Sequence, residues 1–563
     1  MQVSSPASIA GATWADLEPA FDELLARPID TTSVESWLAD WSRLEEVVTE
    51  AISSAMIAYT CNTGDPEREA AHRRFSIDIA PKAEERTVKL AEKFARLGWT
   101  RPGLEQTTAR FRRAIEIFRE ANVPLTAELE EAGTEYQRIT GSFLAEWEGE
   151  KKPLPQLGPF LQSPDRSVRE RAFRATIRPY VEARDALAGI FDRQYRLRQQ
   201  VATNAGFADY QAYAFASKCR FDYTPGDCAR FHQAVETAVV PVVERMHRYR
   251  AERLGVDRLR PWDLGVTLYR DQPIRPFTTA EELTRKAHVM FDHLDPVLAG
   301  QFRVMMDEGL LDLESRKNKA PGGYCDTLHY RGRPFIFMNA AGVMDDVQTL
   351  LHEAGHAFHA FSSHRQALIW QRHPTAESAE LASMSMELLA APLLDLPGAF
   401  LSRRDAAIAR LEHLEDVLLT LCHVASIDAF QSWIYTSGTG HDPVARDRGW
   451  LESRARFERV VDWDGLDRER VARWYRQLHI FLYPFYYIEY GIAQLGALQV
   501  WLNHRRDPAS ALDAYRRFLA RGATASLPDL YREAGAVLVF DQDRMVPLVT
   551  AVEEEISRLR ASI

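Results

Sequence analysis

The sequence has few cysteines, and their arrangement does not build a disulfide scaffold or a cysteine metal site. Among 563 residues there are five cysteines, at positions Cys61, Cys219, Cys228, Cys325 and Cys422. Their number is odd and no two of them form a CxxC pair, so neither a disulfide framework nor a cysteine zinc site is predicted. A reducing cytoplasm is the compartment that this pattern favours.

Long apolar runs are also missing. A transmembrane helix needs roughly 18 or more consecutive apolar residues, whereas one of the richest stretches, 492–502, is short and interrupted by polar residues. The first 20 residues have no basic segment followed by an apolar one, so no signal peptide is predicted. We therefore expect no association with a membrane.

The chain has no excess of positive charge. Its formal net charge is −11, and nucleic-acid binding requires a concentrated basic face. Short basic clusters at 110–113 and 196–200 are typical of solvated helix faces. These features argue against a nucleic-acid partner and are typical of a soluble globular enzyme.

What the sequence does contain is a succession of amphipathic helices. Apolar residues recur at three- and four-residue intervals over 33–59, 83–97, 107–123 and 126–149, with charges on the opposite faces. The proline-rich segment 151–165 is a candidate boundary, after which the helical pattern resumes. The fold class predicted is mainly α.

One region, 319–342, breaks the helical pattern. Pro321, Gly322 and Gly323 indicate a loop, and the apolar run 335–338 favours a strand. We predict two short strands here, the second leading directly into the next helix. A peptide could pair with the strand that ends at Asn339 and Ala340.

The helix that follows carries the sequence His352-Glu353-Ala354-Gly355-His356, an HExxH motif. Residues four apart on a helix share a face, with Cβ atoms about 5–6 Å apart, so both imidazoles can reach one ion. Zinc lowers the pKa of a bound water to about 7, and Glu353 is placed to take the proton of that water. The motif therefore predicts one catalytic Zn²⁺ ion with Glu353 as general base.

A catalytic zinc normally takes three protein ligands, and the third lies farther along the chain. His359 is one position outside the register of a third histidine, and we assign it to the helix surface or to the surroundings of the ligands. The next predicted helix offers Glu377, Glu380 and Glu387. Glu380 and Glu387 share a face because they are seven residues apart.

The segment HEAGHAFH followed by AELASMSMELL resembles the oligoendopeptidase F branch of the thimet oligopeptidase family of zinc metallopeptidases. The resemblance implies that Glu380 is the third metal ligand and that Glu387 orients a ligand imidazole from outside the ligand set. It also implies a large multi-helix fold with a small β-sheet beside the HExxH helix, enclosing a deep channel that admits short peptides.

An aromatic segment, 479–501, follows near the carboxyl end. Tyr483, Tyr487 and Tyr490 have helical spacing and are predicted to share one face beside His479, where their hydroxyls can donate to an oxyanion or to substrate carbonyls. Phe485 is assigned to the core. The resemblance implies that His479, Tyr490 and Tyr487 act in catalysis. The position of Tyr483 on the same face predicts that it contacts the substrate.

The resemblance further implies that Gly322, Gly323, Asn339 and Ala340 approach the substrate. We expect residues 1–155 to form a helical domain that makes part of the channel wall, and residues 156–563 to form the catalytic domain. The predicted function is that of a zinc-dependent endopeptidase acting on short unstructured peptides, as a monomer or a dimer. A zinc exopeptidase and a catalytically inactive peptide-binding protein are the alternatives.

Overall fold

The structure is a computed structural model that describes residues 3–270 and 274–563, and over these residues the fold is mainly α-helical, as predicted. In chain order the helices of this described part are α1 (Trp14–Ala26), α2 (Val34–Cys61), α3 (Pro66–Arg73), α4 (Ala80–Arg96), α5 (Glu105–Ile117), α6 (Val123–Gly141), α7 (Gly158–Leu161), α8 (Arg166–Glu182), α9 (Arg184–Asn204), α10 (Tyr210–Ser217), α11 (Pro225–Ala234), α12 (Val240–Leu254), α13 (Ala280–Leu294), α14 (Pro296–Asp307), α15 (Met344–Ser363), α16 (Ala376–Ala390), α17 (Arg403–Thr436), α18 (Pro443–Phe457), α19 (Asp467–Ala472), α20 (Leu478–Leu482), α21 (Tyr487–Arg506), α22 (Pro508–Arg521), α23 (Leu527–Glu533) and α24 (Gln542–Arg560). Short 3₁₀ and π segments connect several of them.

Two small sheets interrupt the helices. Strands β1 (Leu144–Trp147) and β2 (Glu150–Pro153) form an antiparallel hairpin. Strands β3 (Leu311–Glu314), β4 (Tyr324–Leu328) and β5 (Arg333–Ala340) form a sheet in the order β3-β5-β4. Strand β5 pairs parallel to β3 and antiparallel to β4. The two strands predicted within 319–342 are therefore confirmed as β4 and β5, and β3 was not predicted.

The chain divides into two compact units, each assembled from separate stretches of sequence. Unit 1 comprises Met1–Glu116, Ile274–Arg410 and Ala493–Leu538, and unit 2 comprises Ile117–Pro273, Leu411–Ile492 and Val539–Ile563. The boundary predicted between residues 155 and 156 falls inside unit 2. A division into a wall domain and a catalytic domain stays a prediction.

In unit 1, an aromatic core holds the amino-terminal helices together. Trp41 of α2 stacks against Phe111 of α5 with ring centroids 4.9 Å apart, and Trp370 contacts both rings. Trp37 and Trp41 are almost completely buried. Since aromatic side chains bury 150–250 Å² each, a few of them can supply much of the stabilisation of such a layer.

The hairpin β1–β2 corrects the prediction that the helix containing 126–149 continues to residue 149. Helix α6 ends at Gly141, and the turn of the hairpin uses Glu148 (φ 53°) and Gly149 (φ 84°). Two successive residues with positive φ match the right-handed twist of a two-residue hairpin. The helical periodicity of 142–149 is coincidental, because Ala145 and Trp147 alternate with exposed residues as a strand requires.

Helix α17 is long and apolar enough to cross a membrane by length and composition alone. However, 67% of its most apolar 18-residue window is buried inside the protein. Burial of this kind is typical of a helix in the core of a globular fold.

Buried neutral histidines make the stability of unit 1 sensitive to acid. Burial lowers the pKa of His329 to about 2 and that of His359 to about 3, against about 6.5 in an unfolded chain. Between pH 6.5 and 4 the unfolded chain therefore binds protons that the folded chain does not. The free energy of unfolding consequently decreases as the pH falls, by up to about 1.4 kcal/mol per pH unit for each histidine.

We expect the urea midpoint to be lower at pH 5.5 than at pH 7.5 for this reason. The variant His329→Gln removes one of the titrating groups, so its midpoint should depend less steeply on pH. A midpoint that stays constant or rises on acidification to pH 5.5 would contradict the burial of these histidines in neutral form.

Candidate metal centre

The HExxH helix begins at a strong cap. The carboxylate of Asp346 accepts hydrogen bonds from the backbone N–H groups of Ala341, Gly342 and Val343, at 2.8, 2.8 and 2.9 Å. These bonds fix the turn that joins β5 to α15, and the negative charge lies at the positive end of the helix dipole. The apolar stripe of this helix, which comprises Val347, Leu350, Leu351, Ala354 and Phe358, is completely or almost completely buried.

Helices α15 and α16 cross at Gly355. A Cβ atom on this residue would lie 2.5 Å from the Cα atom of Ser383 and 2.8 Å from the carbonyl oxygen of Ala382. Both neighbours are backbone atoms, which cannot move aside as a flexible side chain can. The glycine inside the HExxH motif therefore allows the close approach that brings Glu380 of α16 beside the two histidines of α15.

Three side chains meet at this crossing. Among the described residues, His352, His356 and Glu380 form a group whose potential ligand atoms all lie within 4.8 Å of one another. Glu380 Oε2 is 3.4 Å from His352 Nε2 and 3.9 Å from His356 Nε2. Ligands roughly 2.0–2.1 Å from a tetrahedral zinc lie about 3.3 Å apart, so the donor set and its spacing fit a zinc ion.

Glu387 holds one imidazole in place. Its Oε1 atom is 2.7 Å from Nδ1 of His352, which leaves Nε2 directed at Glu380. Burial alone would lower the pKa of His352, but hydrogen bonds to Glu380 and Glu387 raise this pKa well above its usual value. A carboxylate on the far nitrogen fixes the tautomer of a metal-binding histidine and increases its basicity.

The carboxyl group of Glu353 is nearly buried on the same helix. Burial, together with the charges of Glu380 and Glu387, raises its pKa to about 7, although the charge of His352 acts in the opposite direction. The backbone amide of Cys325 in β4 lies close enough to the carboxylate to lower its pKa slightly. A carboxyl group with a pKa near neutrality can both accept and return a proton.

The loop before β4 has a well-defined conformation. Gly322 has φ 100°, a region in which residues with a Cβ atom are strained. The side-chain amide of Asn339 donates to the carbonyl oxygens of Ala320 and Gly322, at 2.8 and 3.0 Å. The hydroxyl of Tyr324 contacts the hydroxyl of Thr60 at 2.6 Å.

The prediction that the strand ending at Asn339 and Ala340 pairs with a peptide through a free edge is wrong. Strand β5 is the central strand of its sheet, with β3 on one side and β4 on the other, and Ala340 lies opposite Glu314 of β3. Within the described residues, the edge strands of this sheet are β3 and β4, and β4 is the edge strand on the side of β5 opposite β3. A direct contact of Asn339 or Ala340 with substrate stays a prediction.

In unit 2, the aromatic segment gathers around His479. The centroid of the His479 ring lies 5.0 Å from that of Tyr487, 5.8 Å from that of Tyr483 and 6.0 Å from that of Tyr490. Tyr483 is 56% exposed, whereas burial raises the pKa of Tyr487 to about 12. The hydroxyl of Tyr487 donates to Gln477 at 3.1 Å.

The predicted helical face of Tyr483, Tyr487 and Tyr490 is not correct, because the helix is interrupted. Helix α20 ends at Leu482 and α21 begins at Tyr487. Pro484 has no N–H to donate and disfavours a helical conformation at Tyr483. Phe485, buried as predicted, has φ 62°, so the rings come together through a turn and not through helical spacing.

Sequence analysis missed the residues that support this turn. The N–H of Phe485 donates to Gln431 at 2.9 Å, and its carbonyl oxygen accepts from Arg220, which also contacts Glu489 at 2.7 Å. The dipeptide Tyr483-Pro484 was the available signal for the break. The partners, more than 50 residues distant, leave no local signal.

His359 is the other correction. It is only 3% exposed and its ring packs against Phe518 at 5.4 Å, so the surface position predicted as one alternative is wrong. The helical spacing of α15 explains this, since His359 shares a face with Leu351 and Gly355, eight and four residues earlier, and both of these are buried.

Replacing Gly355 by alanine is expected to separate α15 from α16. The added methyl group would overlap the backbone of Ser383, and overpacking of this kind costs about 1–3 kcal/mol in stability. The displacement also moves Glu380 away from the histidines, so zinc affinity should fall with stability. Equilibrium unfolding and zinc titration measure both, with Gly300→Ala as control because a Cβ atom there meets nothing within 4 Å.

Comparison with known proteins identifies relatives of the chain. The model of peptidase family M3 matches residues 160–543. Oligopeptidase PepF of Bacillus subtilis (strain 168) is 23% identical over 433 residues, which cover 75% of this chain and 59% of that protein. An oligoendopeptidase F homolog of Borreliella burgdorferi is 21% identical over 381 residues, which cover 65% and 61%.

The fold also has a counterpart among solved structures. A structure of PZ peptidase A with an inhibitor has a TM-score of 0.88 at 26% identity, over 97% of each chain. The chain spans about three fifths of the length of the curated relatives named above. Because the family match extends over more than half of the sequence and includes the helices of the His/Glu group, the chain belongs to peptidase family M3, in its oligoendopeptidase F branch.

Proposed function

We propose that this protein is a zinc-dependent endopeptidase that hydrolyses internal bonds of short, unstructured oligopeptides. The observation that carries the proposal is the group of His352, His356 and Glu380, whose ligand atoms lie within 4.8 Å of one another. A buried carboxyl group, that of Glu353, follows the first of these histidines on the same helix. Membership of peptidase family M3 supports the same chemistry.

His352, His356 and Glu380 would hold one Zn²⁺ ion, with Glu387 orienting His352. When bound, the ion supplies a Lewis acid that polarises the scissile carbonyl and acidifies water. Two imidazoles and one carboxylate leave a fourth coordination position open, which is the ligand count of a catalytic site. Ser383 donates to Glu380 Oε2 at 3.1 Å and restrains that side chain.

Glu353 is the proposed general base. Its carboxylate accepts the proton of the attacking water and returns it to the leaving amine. Burial favours this exchange, because it brings the pKa of the carboxyl group close to neutrality.

Tyr490 and His479 are the proposed donors to the oxyanion, and Tyr487 and Tyr483 the proposed donors to the substrate. The O–H group of a phenol and the N–H group of an imidazole stabilise negative charge as it develops on the scissile carbonyl oxygen. The clustering of these rings within unit 2 supports a shared role.

Strand β4 is the proposed docking edge for the peptide. Its Cys325 amide reaches Glu353, so this strand runs beside the His/Glu group. An extended peptide can add to such an edge through main-chain hydrogen bonds. Gly322 and Gly323 precede the strand and would leave room for the substrate backbone, with Asn339 and Ala340 at the end of the adjacent strand.

An exopeptidase differs in the products it releases. Incubation of an unblocked peptide of about ten residues, followed by mass spectrometry over time, separates the two activities. We expect complementary internal fragments from the start. Stepwise loss of single residues or dipeptides from one end would favour the exopeptidase, and no products from a zinc-loaded protein would favour a peptide-binding protein.

We place the enzyme in the cytoplasm, as a monomer or a dimer.

Replacing Glu387 by glutamine is expected to weaken zinc binding by about 10- to 100-fold, the usual range for a partner of a ligand histidine. The amide retains the hydrogen bond to Nδ1 but loses the negative charge that increases the basicity of the imidazole. Competition with a chromophoric chelator measures the affinity. An unchanged affinity would show that the carboxylate does not support the metal.

A further inference from the structure

Unit 2 contains a cavity of about 200 Å³ between α12, α17 and α18. Half of its wall is apolar and includes Leu264, Leu419 and Phe457. The other lining residues are arginines, glutamates and two histidines. All lining residues belong to unit 2 and none belongs to the His/Glu group of unit 1.

Cations outnumber anions around this cavity. Glu458 is shared by Arg454 at 3.1 Å and Arg473 at 2.9 Å. Glu415 is shared by Arg560 at 2.5 Å and Arg250 at 3.8 Å. Among the lining residues and these direct partners, four guanidinium groups therefore face two carboxylates, which leaves two positive charges without a counterion.

The ionisation of the neighbouring groups agrees with a positive field. Burial would raise the pKa of Glu458, but Arg454 and Arg473 lower it to about 2. His247 also lines the cavity, and burial, reinforced by the charge of Arg250, lowers its pKa to about 4. The histidine is therefore neutral at pH 7 and does not add to the positive charge.

One guanidinium group lacks a full set of partners. Arg454 is 6% exposed, and its Nη1 atom donates to Ser426 at 2.8 Å. Among the described residues, none accepts a hydrogen bond from its buried Nε atom. A buried donor without an acceptor is costly, and so is an excess of buried charge of one sign, so a bound anion would accept from Nε and reduce the excess positive charge.

We propose that this cavity binds a small aliphatic carboxylate. The planar fork of an arginine matches the two oxygens of a carboxylate. The apolar part of the wall matches a short alkyl chain, whose transfer from water to an apolar environment is favourable. An inorganic anion would satisfy the charge but leave the apolar wall in contact with water. The lining residues include none of His352, His356 and Glu380, although the ring of one lining residue, His423, lies 5.5 Å from the ring of Tyr487.

The test compares ligands on the zinc-loaded protein by thermal unfolding at constant ionic strength. Butyrate should raise the Tm in a saturable manner. Butyramide, which has the same shape without the charge, should have no effect, and chloride a smaller effect than butyrate. No saturable response, or equal responses to butyrate and chloride, would overturn the proposal.

Variants locate the response in the cavity. Val243→Phe fills the space without removing any charge, and should raise the Kd for butyrate at least tenfold. Cys422→Met fills the same cavity with a more flexible side chain and serves if the first variant does not fold. His356→Ala should retain the response, because that residue belongs to unit 1. A response that persists in the cavity variants but disappears in His356→Ala would assign butyrate to the metal centre and refute the proposal.

Discussion

Replacing Glu353 by glutamine is expected to reduce kcat by about 10³-fold while zinc stays bound. Glutamine has almost the same shape but cannot accept a proton from water, and proton transfer by a positioned base contributes about 10²–10⁴-fold. The three groups that surround the metal position do not include Glu353, so metal content should stay near one per chain. Steady-state kinetics with elemental analysis of the same sample measures both quantities.

Glu353→Asp is the matched control. It keeps the carboxylate and moves it back by one methylene group, so its activity should lie between those of the parent protein and of Glu353→Gln. If Glu353→Gln has near-normal kcat, another residue accepts the proton. If it loses the metal, Glu353 belongs to the ligand set.

Replacing Glu380 by alanine is expected to remove the metal and the activity together. The carboxylate is the only anionic member of the group, and its Oε2 atom lies within 4 Å of both histidine nitrogens. Loss of a direct ligand should cost more than the loss of a ligand's partner, so zinc affinity should fall by more than about 100-fold. Zinc content after dialysis against a weak chelator is the measurement.

Glu377→Ala provides the control for this experiment. Glu377 lies on α16 one turn before Glu380 and is equally buried, and it was an alternative third ligand by sequence. Its replacement should leave the zinc content near one. Zinc retained in Glu380→Ala and lost in Glu377→Ala would reassign the third ligand.

Local patterns explain what sequence analysis achieved at this site. The spacing of His352 and His356 and the apolar stripe of α15 depend only on helical periodicity, which can be recognised in the amino-acid sequence itself. The loop at Pro321–Gly323 and the strands β4 and β5 are likewise indicated by their own residue types. The position of Glu380 followed from a resemblance, because no local rule selects one glutamate of α16 over another.

The features that sequence analysis missed depend on distant partners. Phe485 takes a left-handed conformation because Gln431 of α17 and Arg220 of the loop after α10 bind its backbone. The order of the sheet, with β5 in the centre, depends on β3, a short strand whose pairing with β5 is parallel. Tertiary contacts determine this backbone conformation and this strand order, and they override local propensity.

The cleavage of a terminally blocked, internally quenched peptide of about eight residues tests the central claim most directly. The assay is run on the purified protein, then after removal of metal by a chelator, and again after zinc is restored. The account predicts internal cleavage that disappears with the metal and returns with zinc. Absence of internal cleavage by the zinc-loaded protein, or cleavage that is unaffected by chelation, would contradict it.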